Sequence, residues 1–273
     1  MDHFEALFRH GVPSARTFFS GNLCEGVGFE NADGLGYLHI LHGGRLLVSG
    51  NGPPFELTRP SLLLLPRPTA HRFEPDADVG ADLVCATIRL GGEQTNPIAV
   101  GLPDLVVIPF DSSPTIAPTL ELLLGEASAR NDGRQVALDR LFEYLLVQIV
   151  RHVVGEGIVT GGVLAALADP SLARALTAMH EEPARPWTLD DLADVAGMSR
   201  TAFARRFRAI AGSTPIDYLI RWRMTLAQGM LREGKPVKAV AAAVGYDSPA
   251  ALTRSFAKVI GVSPRHWLAT RGG

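Results

Sequence analysis

The sequence predicts an α+β protein: an N-terminal β-barrel or sandwich with helices packed on it, followed by an all-α C-terminal domain. Three observations carry this. The 273 residues, 47% of them hydrophobic, suffice for one large domain or two ordinary ones. Charge divides unevenly, with 11 basic and 20 acidic residues before Pro170 against 15 and 8 from it onward, so parts of about −9 and +7 underlie the net −2. The hydrophobic period also changes, from short runs punctuated by Gly and Pro to helical spacing from Pro114 on.

From Gly34 to about Pro109 the runs YLHILHGGRLLVS, PFEL, SLLLLP, HRF, DLVCATIRL and DLVVIPF have the length and punctuation of strands. TIAPTLELLLGEASAR and RQVALDRLFEYLLVQIVRHVV then place two helices within 114–154. In the second, Leu138, Leu141, Phe142, Leu145, Ile149 and Val153 form one stripe, which Val147, Val150 and Val154 widen. Two buried faces are expected of it, against the barrel or a second subunit. GEGIVTGGVLAALADP is small and Gly-rich and reads as a linker. Residues 1–157, 158–170 and 171–273 are therefore expected as first domain, linker and second domain.

The opening MDHFEALFRHGVPS lacks the apolar centre of a signal peptide, and no segment reaches the roughly eighteen apolar residues of a membrane span. A cytoplasmic protein with no membrane partner is expected. Cys24 and Cys85 are too few for a disulfide scaffold in a chain of this length.

The second domain repeats itself. LADVAGMSRTAFARRFRAIAGSTPIDYL, from Leu192, matches VAAAVGYDSPAALTRSFAKVIGVSPRHWL, from Val240, with one residue inserted after Gly245. Phe203 falls on Leu252, Phe207 on Phe256, Gly212 on Gly261, Pro215 on Pro264 and Leu219 on Leu268. Each copy reads as a helix ended by a glycine turn, then a second helix capped by Ser199 or Ser248. At about 100° per residue, Phe203, Phe207 and Ile210 share one side of the first of these second helices, and Thr201, Ala204, Arg205 and Arg208 the other. In the second copy Leu252, Phe256 and Val259 face inward and Ala250, Thr253, Arg254 and Ala257 outward.

Short residues beside an arginine are what a recognition helix needs: close approach to the major groove, a bidentate reader of guanine, and methyls for thymine. Thr201, Ala204, Arg205, Arg208, Ala250, Thr253 and Arg254 are the candidate base contacts. Ser199, Arg200, Arg221, Arg223, Lys235, Lys238 and Ser248 are the candidate phosphate contacts, which position without specifying. Between the copies PIDYLIRWRMTLAQGMLREG forms a long helix with Leu219, Trp222, Leu226 and Met230 on its apolar side, able to hold two reading heads about 34 Å apart along double-stranded DNA. A binder indifferent to sequence, relying on positive charge alone, is the simpler rival.

Trp187 to Leu268, including the ending GVSPRHWL, resembles the double helix-turn-helix DNA-binding domain of the AraC family of bacterial transcription regulators. The resemblance implies an N-terminal cupin-like β-barrel that senses an effector or mediates dimerisation, and SLLLLPRPTAHRF is similar to the cupin strand-turn-strand signature. It also implies a homodimer as the DNA-binding species, a small-molecule or oxidant effector, and RNA polymerase as a partner if the chain is an activator.

A catalytic cupin would need an H-x-H pair, a downstream Glu and one more His around an open metal position. His71 stands where the last would fall, but no H-x-H lies upstream of LHILHGGRLLV, and three-residue spacing sends His39 and His42 to opposite faces of a strand. No metal, cofactor or catalytic role is therefore expected, with a metal-dependent cupin enzyme as the rival. His71 remains a candidate effector contact at the barrel mouth or a packing residue. Cys24 and Cys85 are placed similarly to the thiols of oxidant-sensing regulators of this kind. The neighbouring acids Glu25 and Asp82 disfavour a thiolate, and small buried apolar residues are the other reading.

Overall fold

The computed structural model describes residue 8 and residues 13–30, 34–90, 97–159 and 161–269. They fall into two compact units. One comprises Pro13–Leu90 and Leu102–Glu156; the other, the described residues of Met1–Val12, Gly91–Gly101 and Gly157–Gly273.

The first unit is built on β1 (Ser14–Leu23), β2 (Val27–Phe29), β3 (Gly36–Gly44), β4 (Leu46–Ser49), β5 (Phe55–Leu57), β6 (Ser61–Leu65), β7 (His71–Pro75), β8 (Ala81–Arg89) and β9 (Val106–Pro109). They form two antiparallel sheets, ordered β1-β8-β3-β6-β9 and β2-β7-β4-β5. Leu41, Leu46, Leu63, Phe73, Leu83 and Cys85 belong to the core of this unit. Every position of β6 is buried, which explains its unbroken apolar run: both of its faces are covered.

β1 and β2 are a correction to the expectation that β-structure starts at Gly34. The inward residues of β1 include Ala15 and Thr17, so its alternation has little hydrophobic contrast. Its register against β8 shifts between Thr17 and Phe19, a bulge that frees backbone groups. Those of Thr17 are taken by α3 (Arg134–Gly155): its amide donates to Asp139 Oδ1 at 2.7 Å, and its carbonyl accepts from Gln135 Nε2 at 2.9 Å. α3 buries one side on β1 and another on α2 (Ala117–Ser128), the two buried faces its sequence calls for.

The second unit is helical throughout its described residues: α1 (Pro97–Gly101), α4 (Gly162–Ala168), α5 (Pro170–Glu181), α6 (Leu189–Ala196), α7 (Arg200–Ala211), α8 (Pro215–Arg232), α9 (Val237–Ala243), α10 (Pro249–Ile260) and α11 (Pro264–Ala269). The expected linker 158–170 is corrected here. Its residues form α4, which buries Val163, Leu164, Ala166 and Leu167 and packs on α1 and α7. The close approach of α1 to α4 depends on a glycine outside the expected linker, since a Cβ on Gly101 would lie 2.9 Å from Leu164 Cγ. Residues 97–101, expected in the first domain, cluster with this unit for the same reason.

Phe203, Phe207, Trp222, Leu252 and Phe256 are buried at the centre of the helical unit. Each contributes about 1.5–3 kcal/mol from burial, which outweighs the small capping energies at the helix ends.

Candidate nucleic-acid interface

Two successive helix pairs, α6 with α7 and α9 with α10, share one local chemistry. After α6, Gly197 is left-handed (φ 68°), its amide bonds to Asp194 O (2.9 Å) and the Met198 amide to Ala193 O (3.0 Å). After α9, Gly245 is left-handed (φ 78°), its amide bonds to Ala242 O (3.2 Å) and the Tyr246 amide to Ala241 O (2.8 Å). Both turns thus close by the same pair of bonds, and glycine is required because the conformation penalises a Cβ. The next helix then starts on a serine, with Ser199 Oγ accepting from the Ala202 amide and Ser248 Oγ from the Ala251 amide. The first pair adds a capping box between Thr188 and Asp191.

Phe203 and Phe207 hold α7 against the core, and Leu252 and Phe256 do the same for α10. The other sides are open. Thr201, Arg205, Arg208, Ala250 and Arg254 are exposed; Ala204 and Thr253 are half-buried. The Thr253 hydroxyl donates to Pro249 O at 2.8 Å, so its proton is already used. No hydrogen bond or ion pair among the described residues engages the guanidinium of Arg205, Arg208 or Arg254.

Each candidate recognition helix borders a groove. One of about 460 Å³ is lined by Leu189, Ala204, Arg205, Arg208, Pro215 and Ile216. The other, about 530 Å³, is lined by Ile220, Arg221, Ala251, Arg254, Lys258 and Val259. Lys258 is an exposed cation absent from the residues singled out by sequence, although its i, i+4 spacing from Arg254 was a usable signal.

The candidate phosphate contacts fare unequally. Arg221 and Lys238 are exposed. Lys235 pairs with Glu233 (2.8 Å) and Arg200 with Asp190 (3.2 Å), both as exposed pairs that DNA can displace. Ser199 and Ser248 use an oxygen lone pair on their caps and keep a hydroxyl proton to donate. Arg223 is the correction. Its Nε donates to Pro183 O (2.7 Å) and its Nη2 to Arg185 O (2.8 Å), so its donors satisfy backbone carbonyls within the fold. Arg206 is similarly occupied, with Nε 2.6 Å from Asp169 Oδ2.

The cupin family is matched over residues 2–155, and a helix-turn-helix domain over residues 192–270. Over 247 residues the chain is 34% identical to an AraC-like transcription regulator of Streptomyces lividans, covering 81% of each chain. This chain is an AraC-like transcription regulator. The regulator is also 27% identical over 275 residues to RclR of Escherichia coli strain K12, described as an RCS-specific transcriptional activator, covering 97% of this chain and 96% of that one. Among solved structures it is similar to the DNA-binding domain of AdpA in complex with a target DNA, at 36% identity over 37% of this chain and 92% of that chain, TM-score 0.35. The regulator is a DNA-binding protein of the helix-turn-helix type with an N-terminal cupin domain.

Within the cupin domain of this AraC-like regulator, His39 and His71 pair with each other. Their Nε2 atoms are 2.9 Å apart and both rings are buried, whereas His42 is exposed. Phe29 stacks on His71 (4.6 Å), Tyr37 stacks on His39 (5.7 Å), and Phe73 meets both rings edge-on. His71 Nδ1 lies 2.9 Å from Thr69 O, which only accepts, so that nitrogen carries the proton and His71 Nε2 is a lone pair. His39 Nε2 must then donate, leaving His39 Nδ1 as a buried lone pair without a hydrogen-bond partner. Burial lowers the pKa of both rings, and for His39 the neighbouring His71 lowers it further. The donor set does not fit a cupin metal centre: two nitrogens already bonded to each other stand alone, and no group of three or more His, Cys, Asp or Glu that could hold a metal occurs among the described residues.

Cys24 and Cys85 of the regulator are not brought together. Cys85 pairs with Phe19 across β1 and β8, while Cys24 follows Leu23 at the far end of β1, about five residues or ~16 Å along the strand. A disulfide needs Cα atoms within about 7 Å. Cys24 is exposed and its Sγ donates to Asn22 Oδ1 at 3.0 Å; Cys85 is buried, and burial pushes its thiol far up, away from the reactive thiolate.

Proposed function

We propose that this regulator reads two neighbouring major-groove segments of one duplex, with α7 and α10 as the recognition helices, Arg205 and Arg254 as the base readers, and Ser199, Arg200, Arg221, Lys235, Lys238 and Ser248 against phosphates. One observation carries the reading. Both heads have the same turn bonding, the same inward aromatic at Phe207 and Phe256, and an exposed, unpaired arginine two residues before it. An arginine fork directed at guanine O6 and N7 supplies discrimination that charge alone does not.

The reading is tested by selecting duplexes from a random library with the full chain, then measuring Arg205→Ala and Arg254→Ala on the selected sites. Each loss is expected to cost about 1–3 kcal/mol and to relax selectivity at one position of one sub-site. Equal loss on scrambled duplexes would leave only a charge-based binder.

The cupin domain is the sensing or dimerising part of this reading, acting in the cytoplasm on a homodimer, with RNA polymerase as partner where the regulator activates. An effector regulates only by binding the DNA-competent and incompetent states with different affinity. The exposed Cys24 supports an oxidant as effector, with Cys24 as the reacting thiol rather than an internal pair with Cys85. Retention of an oxidant-dependent change in DNA binding by Cys24→Ser would rule this out.

A further inference from the structure

Each reading head has an arginine from the preceding helix set against its turn glycine, but the two arginines hold different partners. In the first head, Arg174 of α5 donates from Nε to Val195 O (3.2 Å) and from Nη2 to Ala196 O (2.6 Å), capping α6 of its own head. In the second, Arg223 of α8 has a Gly245 Cβ position 2.9 Å from its Nη2 and the Tyr246 ring centroid 5.8 Å from its guanidinium carbon. Its hydrogen bonds leave that head altogether. They go to Pro183 O and Arg185 O, on the segment that leads into the first head. Gly245 itself presses on that segment, since a Cβ there would lie 2.6 Å from Ala184 O.

The receiving segment is stiff. The Trp187 indole donates to Glu182 O (3.0 Å), the Trp187 amide donates to Arg185 O (2.8 Å), and the Arg185 guanidinium lies 3.9 Å over the buried Trp187 ring. Arg223 therefore joins one rigid part to another. α8, 18 residues and about 27 Å long, is the rod that links the heads. Arg223 projects from that rod and ties it to the segment leading into the first head, beside the point where Gly245 of the second head packs on Ala184, so it acts as a strut where rod, segment and turn meet. Lysine cannot replace it, because one ammonium lacks the planar fork that reaches two carbonyls together.

We propose that Arg223, seated against Gly245, is a positioning residue that sets the separation and angle of the two recognition helices, and with them the sub-site spacing that the regulator selects on DNA. This rests on the two-head reading above.

The experiment uses the full chain and duplexes selected from a random library, remade with the two sub-sites moved apart or together by single base pairs. One base pair shifts a sub-site by about 3.4 Å along the axis and turns it by roughly 36°. The native protein should show one optimum, with affinity falling roughly tenfold per base pair of displacement, comparable to a mismatch. Arg223→Ala and the charge-retaining Arg223→Lys should flatten that profile to within about threefold, while Arg174→Ala lowers thermal stability and leaves the profile's shape alone. A profile of unchanged optimum and steepness in Arg223→Ala, shifted uniformly to weaker binding with a reduced salt dependence, together with near-native binding by Arg223→Lys, would overturn the strut and return Arg223 to the phosphate contacts. Failure of the native chain to enrich any sequence would overturn the two-head reading itself.

Discussion

His39 Nε2 and His71 Nε2 share one hydrogen bond of 2.9 Å inside the cupin domain, across 32 positions of sequence. Because Thr69 O requires the proton on His71 Nδ1, that bond has one direction when both rings are neutral.

Acid should therefore destabilise the protein through this pair. Both folded-state pKa values lie below the ordinary 6.5, so the unfolded chain binds more protons in the window beneath it. The sign follows: the contribution is complete above pH 6.5 and is lost as pH falls from there through the folded values. Thermal melting between pH 8 and 5 should show Tm declining below 6.5, with a shallower decline in His39→Leu. An equal decline in both proteins would show that the pair does not titrate on unfolding.

Thiol chemistry should be one-sided. In the folded protein, a thiol reagent is expected to label Cys24 rapidly and Cys85 only after denaturant is added, because the first is exposed and the second buried. Mass spectrometry after oxidation should find no bond between them within one chain.

Gly212 and Gly245 have similar backbone angles (φ 72° and 78°) but different surroundings. A Cβ on Gly212 meets nothing within 4 Å, so Gly212→Ala should cost only the left-handed penalty of about 1–2 kcal/mol. Gly245→Ala must also displace the Ala184 backbone, and denaturant unfolding should place it clearly below Gly212→Ala in stability.

Lys238 and Arg254 should separate by salt. Lys238→Ala should weaken binding about equally on all duplexes and lower the slope of log affinity against log salt by about 0.9, as expected for one lost phosphate contact. Arg254→Ala should instead show its loss chiefly on the selected site. Titrations at several salt concentrations distinguish the two.

The helix-turn-helix pairs were legible because their instructions are local. Ser199 and Ser248 cap the next helix three residues on, Gly197 and Gly245 close turns within five, and Phe203 with Phe207 marks a buried stripe across one turn. β1 was hidden for the opposite reason: inward Ala15 and Thr17 carry little hydrophobic contrast, and its bulge is satisfied by Asp139 from far along the chain. Likewise α4 read as a linker because Gly161 and Gly162 signal flexibility in isolation, while Val163, Leu164, Ala166 and Leu167 are buried by helices distant in sequence.

By itself, the order of residues settled the class of protein and the pair of helix-turn-helix units, since caps, turns and apolar period act over a few positions and need no partner. Only the tertiary structure decided that His71 bonds to His39 instead of His42, that Cys24 and Cys85 stand apart, and that Arg223 braces the protein while Arg221, two residues before it, stays exposed. Each of those outcomes depends on which distant carbonyl, ring or strand the folded chain brings within about 3 Å, a distance that spacing along the sequence does not encode.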